Sequence, residues 1–567
     1  MAELSVSRKN ISKLLSEMQG RKFIIPDYQR PYKWDEEKCE TLWNDITSFH
    51  FEKKDNDEYF LGTIVTCKSD ENKQNIEIID GQQRITSILL LLRAFYKKLE
   101  NMPEDVNVIG LKSQIAPCIW DVNPISRIVE DLTKIHIESK VTTESNNDIF
   151  HRILYEGIYD ENNRDLFTTN YKFFFNKCEE FARDNPTQWQ PLCVTILEKC
   201  IVLPIECENI DTGLTIFSTL NDRGLPLSDS DIFKAQIYKT KKTPNEKRAF
   251  ADKWKELSEI VDDAKLTLDD IFRYYSHILR AKNKNNTKEI GLRKFYSENN
   301  YSLLREQDIV DDLFKLAYFW FAVNTRQNKI DDREVLDLES QKYLHCLQTY
   351  PNEYWKYITS VYYYKNKDSD NFNNNFTLFL KRLIAFLFVK FIEKPTVNAI
   401  KDDIYQGCID VYHYNSLNYQ IEINESFKEL IGKANNLKIA KSLILLKAYL
   451  NGEQNDLIPY DFEIEHIFPR IWQNTNYNGW SKEEADEYLE KFGNKIAIEK
   501  KLNIQAGNGY FGRKKEKYKN SKIAEVLKLG NYNKNDWIKE DIAHRENEFQ
   551  DAIFNFFKLN LSTKSSA

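Results

Sequence analysis

The chain has 567 residues, too many for one ordinary hydrophobic core, and domain-size statistics put it at roughly three or four domains. Its 41% hydrophobic residues, with 34 Phe and 31 Tyr, supply ample core material, and 29% charged residues keep much surface in water. The 80 Lys and Arg against 87 Asp and Glu leave a formal charge of -7, so the global charge makes no case for a nucleic-acid partner, while a local basic patch is still allowed.

The first residues, MAELSVSRKNISKLL, lack the apolar core and small-residue cleavage site of a signal peptide, so none is expected. Nine cysteines contain no CxxC pair. Cys193, Cys200 and Cys207 are evenly spaced but too far apart for an ordinary zinc site, and reduced core cysteines of a cytoplasmic protein are the expectation.

In chain order, FLGTIVTC (60–67) and NIEIID (75–80) have the β-branched content of strands, and ITSILLLLRAFYKKL (85–99) has the wide apolar face of a buried helix. Residues 241–455 are mostly helical by pattern, with loops expected at NKNNTK (283–288) and NFNNNF (371–376). Lys381, Arg382 and Lys390 interrupt the most apolar run, Phe376–Ile392, so a buried helix is expected there and no membrane association. Residues 456–567 open with the proline turn LIPYD. From Lys495 to Lys539 they carry 12 Lys and Arg against 4 Asp and Glu, a local +8 that a phosphate-binding surface or a solvated helical face would both explain.

Three N-terminal segments carry chemistry. In IIPDYQRPYKW (24–34), Pro26 and Pro31 stiffen an extended segment that presents Gln29 and Arg30. In IIDGQQRITSI (78–88), a strand ends at Asp80, Gly81 permits a tight turn and a helix starts near Gln83. Free backbone N–H groups there, with Arg84, suit a phosphate; an ordinary turn with Asp80 as the cap is the plainer alternative. In IFSTLNDRGLPLSDSDIFKA (216–235), Asn221–Gly224 reads as a turn and Leu227-Ser228 as the cap of a helix that holds Asp231.

Near the other end stands EIEHIFPR (463–470), with one of only eight histidines. Phosphodiester hydrolysis needs a base to activate water, for which an oriented imidazole is suited, and a cation on hard oxygen ligands. His466 and Glu465 supply a base and a carboxylate. FGNKIAIEKKLNIQAGNGYFGRKKEKY (492–518) follows with Asn494, Asn503 and Asn508; its IAI reads as a short strand and KKLN as the start of a turn or helix. A β-hairpin followed by a helix is expected. His544, on an expected exposed helix, is read as structural.

YQRPYKW, FLGTIV, DGQQR and FSTLNDRGLPLSDSD, in this order over about 1–240, resemble the N-terminal domain of GmrSD-type modification-dependent restriction enzymes. EHIFP, GNKIAI, LN and FGRKKEKY, over about 456–560, are similar to the HNH-like nuclease domain that ends them. The resemblance implies an α+β multidomain chain with three parts. These are a ParB/sulfiredoxin-like NTP-binding and DNA-sensing domain (1–240), a helical middle region (241–455) and a C-terminal ββα-metal (HNH-like) nuclease domain (456–567). It implies an NTP-dependent endonuclease of phage defence, cytoplasmic, acting on modified DNA, and is compatible with a homo-oligomer. Gln29, Arg30, Asp80, Gly81, Gln82, Gln83 and Arg84 become the implied nucleotide-binding residues. His466 becomes the general base, with Asn494 orienting it or bracing its loop. Glu465 and Asn503, with Asn508 as a rival for the second place, become ligands of Mg2+ or another divalent cation. Arg513 and Lys514 become phosphate contacts. Two alternatives stay open: a nickase that senses a backbone mark such as phosphorothioate, and a nucleic-acid-binding regulator with an inert nuclease domain.

Overall fold

The β-branched runs near the start of the chain pair into one mixed sheet. The computed structural model describes residues 4–561 apart from 27–28, 30, 70–71, 142–143, 209–211, 214–215, 217–227, 307–308, 328, 331–332, 335, 418, 420 and 473–479. The chain divides into two compact units, Met1–Ala251 and Asp252–Ala567.

In the first unit the strands are β1 (Leu4–Val6), β2 (Lys9–Asn10), β3 (Phe23–Ile25), β4 (Tyr59–Lys68), β5 (Ile76–Asp80), β6 (Ile137–Ser139) and β7 (Cys200–Cys207). They run in the spatial order β1-β7-β4-β5-β3-β6, with β2 also on β7. The strands expected at 60–67 and 75–80 are β4 and β5, an antiparallel pair. The register of β4 on β7 shifts between Phe60 and Gly62. Gly62 has φ +121°, a conformation that side chains with a Cβ rarely adopt. The helix Gln82–Glu100 leaves β5 through Gly81 and buries Ile85, Ile88, Leu89, Leu92, Phe95 and Leu99 in the core of this unit. Ser228 accepts a hydrogen bond from the Asp231 amide at the start of the helix Asp229–Tyr238, the cap expected there. The turn expected at 221–224 lies outside the described residues.

The second unit is mainly helical, with two short hairpins: β8 (Lys329–Ile330) with β9 (Arg333–Glu334), and β10 (Glu463–His466) with β11 (Lys495–Ile498). The apolar run at 376–392 lies within the helix Phe372–Glu393, and no helix among the described residues is long and apolar enough to cross a membrane. The loop expected at 371–376 is instead the first turn of this helix. Phe372 and Phe376, four residues apart, both face the core and stack at 5.1 Å. That burial outweighs the weak helix preference of three asparagines, which the first turn tolerates. The loop at 283–288 is as expected. The helix Ala440–Tyr449 packs on β11, so the end of the helical region and the hairpin share one unit. All nine cysteines are buried.

Candidate active site

The strand EIEH pairs antiparallel with KIAI, Glu465 opposite Ile496 and His466 opposite Lys495. A helix, Lys500–Ala506, follows directly. Successive strand side chains point to opposite faces. Glu463 and Glu465 therefore share one face, and His466 looks out from the other.

On its face His466 is 8% exposed, with Nε2 3.4 Å from Oε1 of Glu490. Lys495 Nζ lies 2.5 Å from the other oxygen of Glu490, and Arg470 is 3.3 Å from Oε1. Burial lowers the imidazole pKa to about 4; Glu490 opposes that shift, and Arg470 and Lys495 add to it. At neutral pH the ring is therefore uncharged and able to accept a proton. Nε2 is buried and, like Nδ1, makes no hydrogen bond among the described residues, so Glu490 faces the ring at ion-pair distance only. Burial pushes the Glu490 carboxyl up, but the hydrogen bond and charge of Lys495, with His466 and Arg470, outweigh it and leave the pKa lowered.

Asn494 is fully buried. Its Oδ1 accepts from the Phe468 amide at 2.7 Å, and its Nδ2 donates to the carbonyls of Phe468 and Leu489 at 3.1 and 2.9 Å. Of the two roles expected for it, this geometry is that of a loop brace: the amide holds the chain just after His466. Arg545 holds the other side of the same loop, donating from Nη1 to the carbonyls of Phe492, Gly493 and Lys495. Glu546 accepts from the Gly493 amide at 2.7 Å. A Cβ on Gly493 would collide with the Ile542 carbonyl, so the helix Lys539–Leu561 approaches this closely only because the residue is glycine. Arg545 is itself paired with Glu525, which also takes Lys447 from the helix Ala440–Tyr449.

The opposite face departs from expectation. Glu465 is 6% exposed, and its Oε1 accepts from Tyr518 Oη at 2.8 Å and from Lys514 Nζ at 2.7 Å. Lys514 is 1% exposed and also donates to the His466 carbonyl. Lys514 is therefore not a surface phosphate contact in this arrangement: its charge neutralises a buried carboxylate. Both contacts fall on Oε1 of Glu465, and its other oxygen takes no hydrogen bond among the described residues. Asn503 turns its amide to Glu463, both half-buried, and Asn508 is exposed. No group of three His, Cys, Asp or Glu among the described residues converges as a metal site. Asn503 Nδ2 donates to the Glu463 carboxylate, so the hard oxygens of the kind Mg2+ accepts that remain here are the other Glu463 oxygen and Asn503 Oδ1. Arg513 is exposed, and so are Lys500, Lys501, Lys517 and Lys522; none forms an ion pair among the described residues.

In the first unit the structure brings the quoted segments together. Gly81, at φ +95°, precedes the helix Gln82–Glu100 with no side-chain cap, so Asp80 is not the N-cap. Gln83 accepts from the amides of Lys33 and Trp34 and donates to the Pro31 carbonyl. Gln29 donates to the Ile79 carbonyl at 2.9 Å and accepts from Gln82 at 3.4 Å. Lys234, from the third segment, donates to the Gln29 carbonyl at 3.4 Å. Arg84 donates to the Thr63 carbonyl and lies against Gly62, where a Cβ would sit 2.9 Å from its guanidinium. Burial lowers its pKa, against the opposing charge of Asp80. These glutamines and this arginine therefore fasten the 29–34 segment and β4 to the helix start. The cavity beside Tyr32, Gln82 and Gln83 is about 10 Å³, room for about one water and none for a nucleotide. Arg30 lies outside the described residues.

A model of the GmrSD restriction endonuclease N-terminal domain matches residues 11–238, and one of the GmrSD C-terminal domain matches residues 419–552. The chain belongs to the GmrSD restriction endonuclease family. No curated protein matches it. As a GmrSD-family chain it is a nuclease of modification-dependent restriction, and its substrate is DNA. The C-terminal match takes in the whole β10–β11 hairpin, His466, Glu490 and Arg545. Sequence reading missed Glu490, Glu463, Arg545 and Glu546. Glu463 alone left a signal, since it stands two residues before Glu465 on the same strand face. The others meet the site through long-range packing that no spacing encodes.

Proposed function

We propose that this GmrSD-family chain is an NTP-dependent, cytoplasmic DNA endonuclease of phage defence. In this reading an HNH-like C-terminal domain cuts modified DNA, a ParB-like N-terminal domain binds nucleotide, and the helical region couples the two. The observation that carries the nuclease reading is the state of His466: a buried, uncharged imidazole 3.4 Å from Glu490, neither of whose ring nitrogens makes a hydrogen bond among the described residues. Nδ1 takes a proton from water as the water oxygen attacks phosphorus; the P–O bond to the leaving oxygen breaks, and that oxygen takes up a proton. Glu490, 3.4 Å from Nε2, is placed to orient the ring, and Asn494 fixes the chain that follows it. A divalent cation on Glu463 and Asn503 would supply positive charge for the scissile phosphate. Lys500, Lys501, Arg513 and Lys517, on the helices after the hairpin, are exposed cations for the DNA backbone. For the N-terminal domain, the helix start at Gly81, which has no side-chain cap, supports the reading.

The test is a Mg2+ cleavage assay on unmodified DNA and on DNA with glucosylated hydroxymethylcytosine, with and without NTP, for wild type and His466→Ala. Cutting confined to modified DNA, raised by NTP and lost in the variant, is expected. Equal cutting by His466→Ala would overturn the assignment of the base, and cutting indifferent to NTP and modification would overturn the coupling.

A further inference from the structure

Between the two matched domains, in a stretch that neither family model covers, the helical region holds a polar cavity of about 290 Å³. That is close to the lower end, about 300 Å³, of ordinary small-molecule pockets. Tyr362 and Asn366 line it from the helix Trp355–Asn366, Ser369 from the next turn, Asn375 and Arg382 from the helix Phe372–Glu393, and Asn415 from the end of the helix Lys401–Tyr414.

Its chemistry is one-sided. Tyr362 is 7% exposed, and its hydroxyl, which makes no hydrogen bond among the described residues, is open to the cavity that the ring lines. Burial raises its pKa to about 12, which keeps the proton available for donation. Arg382 has no ion pair among the described residues, and no carboxylate lines the cavity. Arg382, Asn375 and Asn415 are exposed, and the side chains of the two asparagines make no hydrogen bond among the described residues, so all three are open to a ligand from solvent. Asn415 sits at φ +56°, a left-handed position that asparagine tolerates. The phenyl ring of Phe379, stacked on Tyr362 at 4.1 Å, gives the cavity an apolar floor. Several donors, one cation, two amides and a flat apolar floor fit a ligand that combines a negative group, hydrogen-bonding edges and a planar ring.

We propose that this cavity binds a single nucleotide, its phosphate at Arg382 and Tyr362 and its base edge at Asn375 and Asn415. The choice of a nucleotide over another anion rests on the reading that the chain acts on DNA. A free nucleotide and a nucleotide swung out of a duplex share this chemistry, and an enzyme that must inspect a base has reason to extrude it.

The experiment uses the full-length chain with His466→Ala, expected to cut DNA far more slowly, alone and combined with Arg382→Ala or Tyr362→Phe. Each deoxynucleoside monophosphate is titrated by calorimetry, and a duplex with one 2-aminopurine is followed by its emission. At least one probe is expected to bind the parent and to weaken about tenfold or more in Arg382→Ala, the loss of a charge-assisted contact. Tyr362→Phe, which keeps the ring, should weaken it several-fold. An emission rise with DNA assigns an extruded nucleotide; monophosphate binding alone assigns a free one. Failure of every probe to bind, or binding unchanged in both variants, would overturn the proposal. Wild type and Arg382→Ala, both with His466 intact, are also compared in cleavage. Equal cutting of modified DNA overturns the cavity proposal and leaves the nuclease standing; nucleotide binding by a chain that cuts no DNA does the reverse.

Discussion

His466 and Glu490 meet at 3.4 Å across the start of the β10–β11 hairpin, on the face turned away from Glu465. The residue beside the histidine in sequence is thus not its partner in space; a carboxylate 24 positions later is. Loss of the base in His466→Ala should lower cleavage by about 10²- to 10⁴-fold. Glu490→Gln should lower kcat by about tenfold with KM little changed, because only the orientation of the ring is relaxed. Steady-state cleavage kinetics separate these outcomes from a Glu490 that serves only Lys495, for which kcat would stay at the wild-type value.

Lys514 offers a direct choice between two roles. With its charge buried against Glu465, Lys514→Ala leaves an uncompensated buried carboxylate, a loss of about 3–5 kcal/mol. Chemical denaturation should report that loss. A phosphate contact would instead leave stability unchanged and reduce the salt dependence of DNA binding by about one unit of slope. Arg513→Ala, at an exposed position, should behave in the second way.

Stability should depend on pH through Glu525. Burial raises its pKa, but Arg545 and Lys447 outweigh that and leave it below the usual glutamate value. The folded pKa is depressed, so the stabilising contribution is present above the unfolded value of about 4.3 and is lost as the pH falls through the folded value. Glu525→Gln should therefore lower the melting temperature clearly at pH 7, and the gap to wild type should close below about pH 4. A gap that is constant with pH would show that the Glu525 charge is not what holds Arg545 under the Asn494 loop.

Gly62 is the corresponding weak point of the first unit. Gly62→Ala combines φ +121° with a Cβ 2.9 Å from the Arg84 guanidinium. It should destabilise this unit by about 1–3 kcal/mol. It should also shift Arg84 away from the Thr63 carbonyl, which urea denaturation and hydrogen exchange at the start of the helix Gln82–Glu100 would both detect.

Much of this protein was readable from the chain alone, because local chemistry sets local structure. Alternating β-branched residues made 60–67 and 75–80 strands, the wide apolar face made 85–99 a helix, and the short apolar strands around His466 made a hairpin with a helix after it. The asparagines at 373–375 misled, since their local preference for loops yielded to the burial of Phe372 and Phe376. The ordered motifs were enough to place the chain in its family. Tertiary structure alone decided which charges are used up and which remain free. Lys514 looked like a cation for DNA until Glu465, 49 positions earlier, was found beside it. Gln83 looked like a ligand residue until its amide was found fastening residues 31–34. Sequence spacing gives a residue's face on its own strand or helix. Its partner and its exposure depend on long-range packing, and for a charged group those two decide whether it binds, catalyses or only holds the fold together.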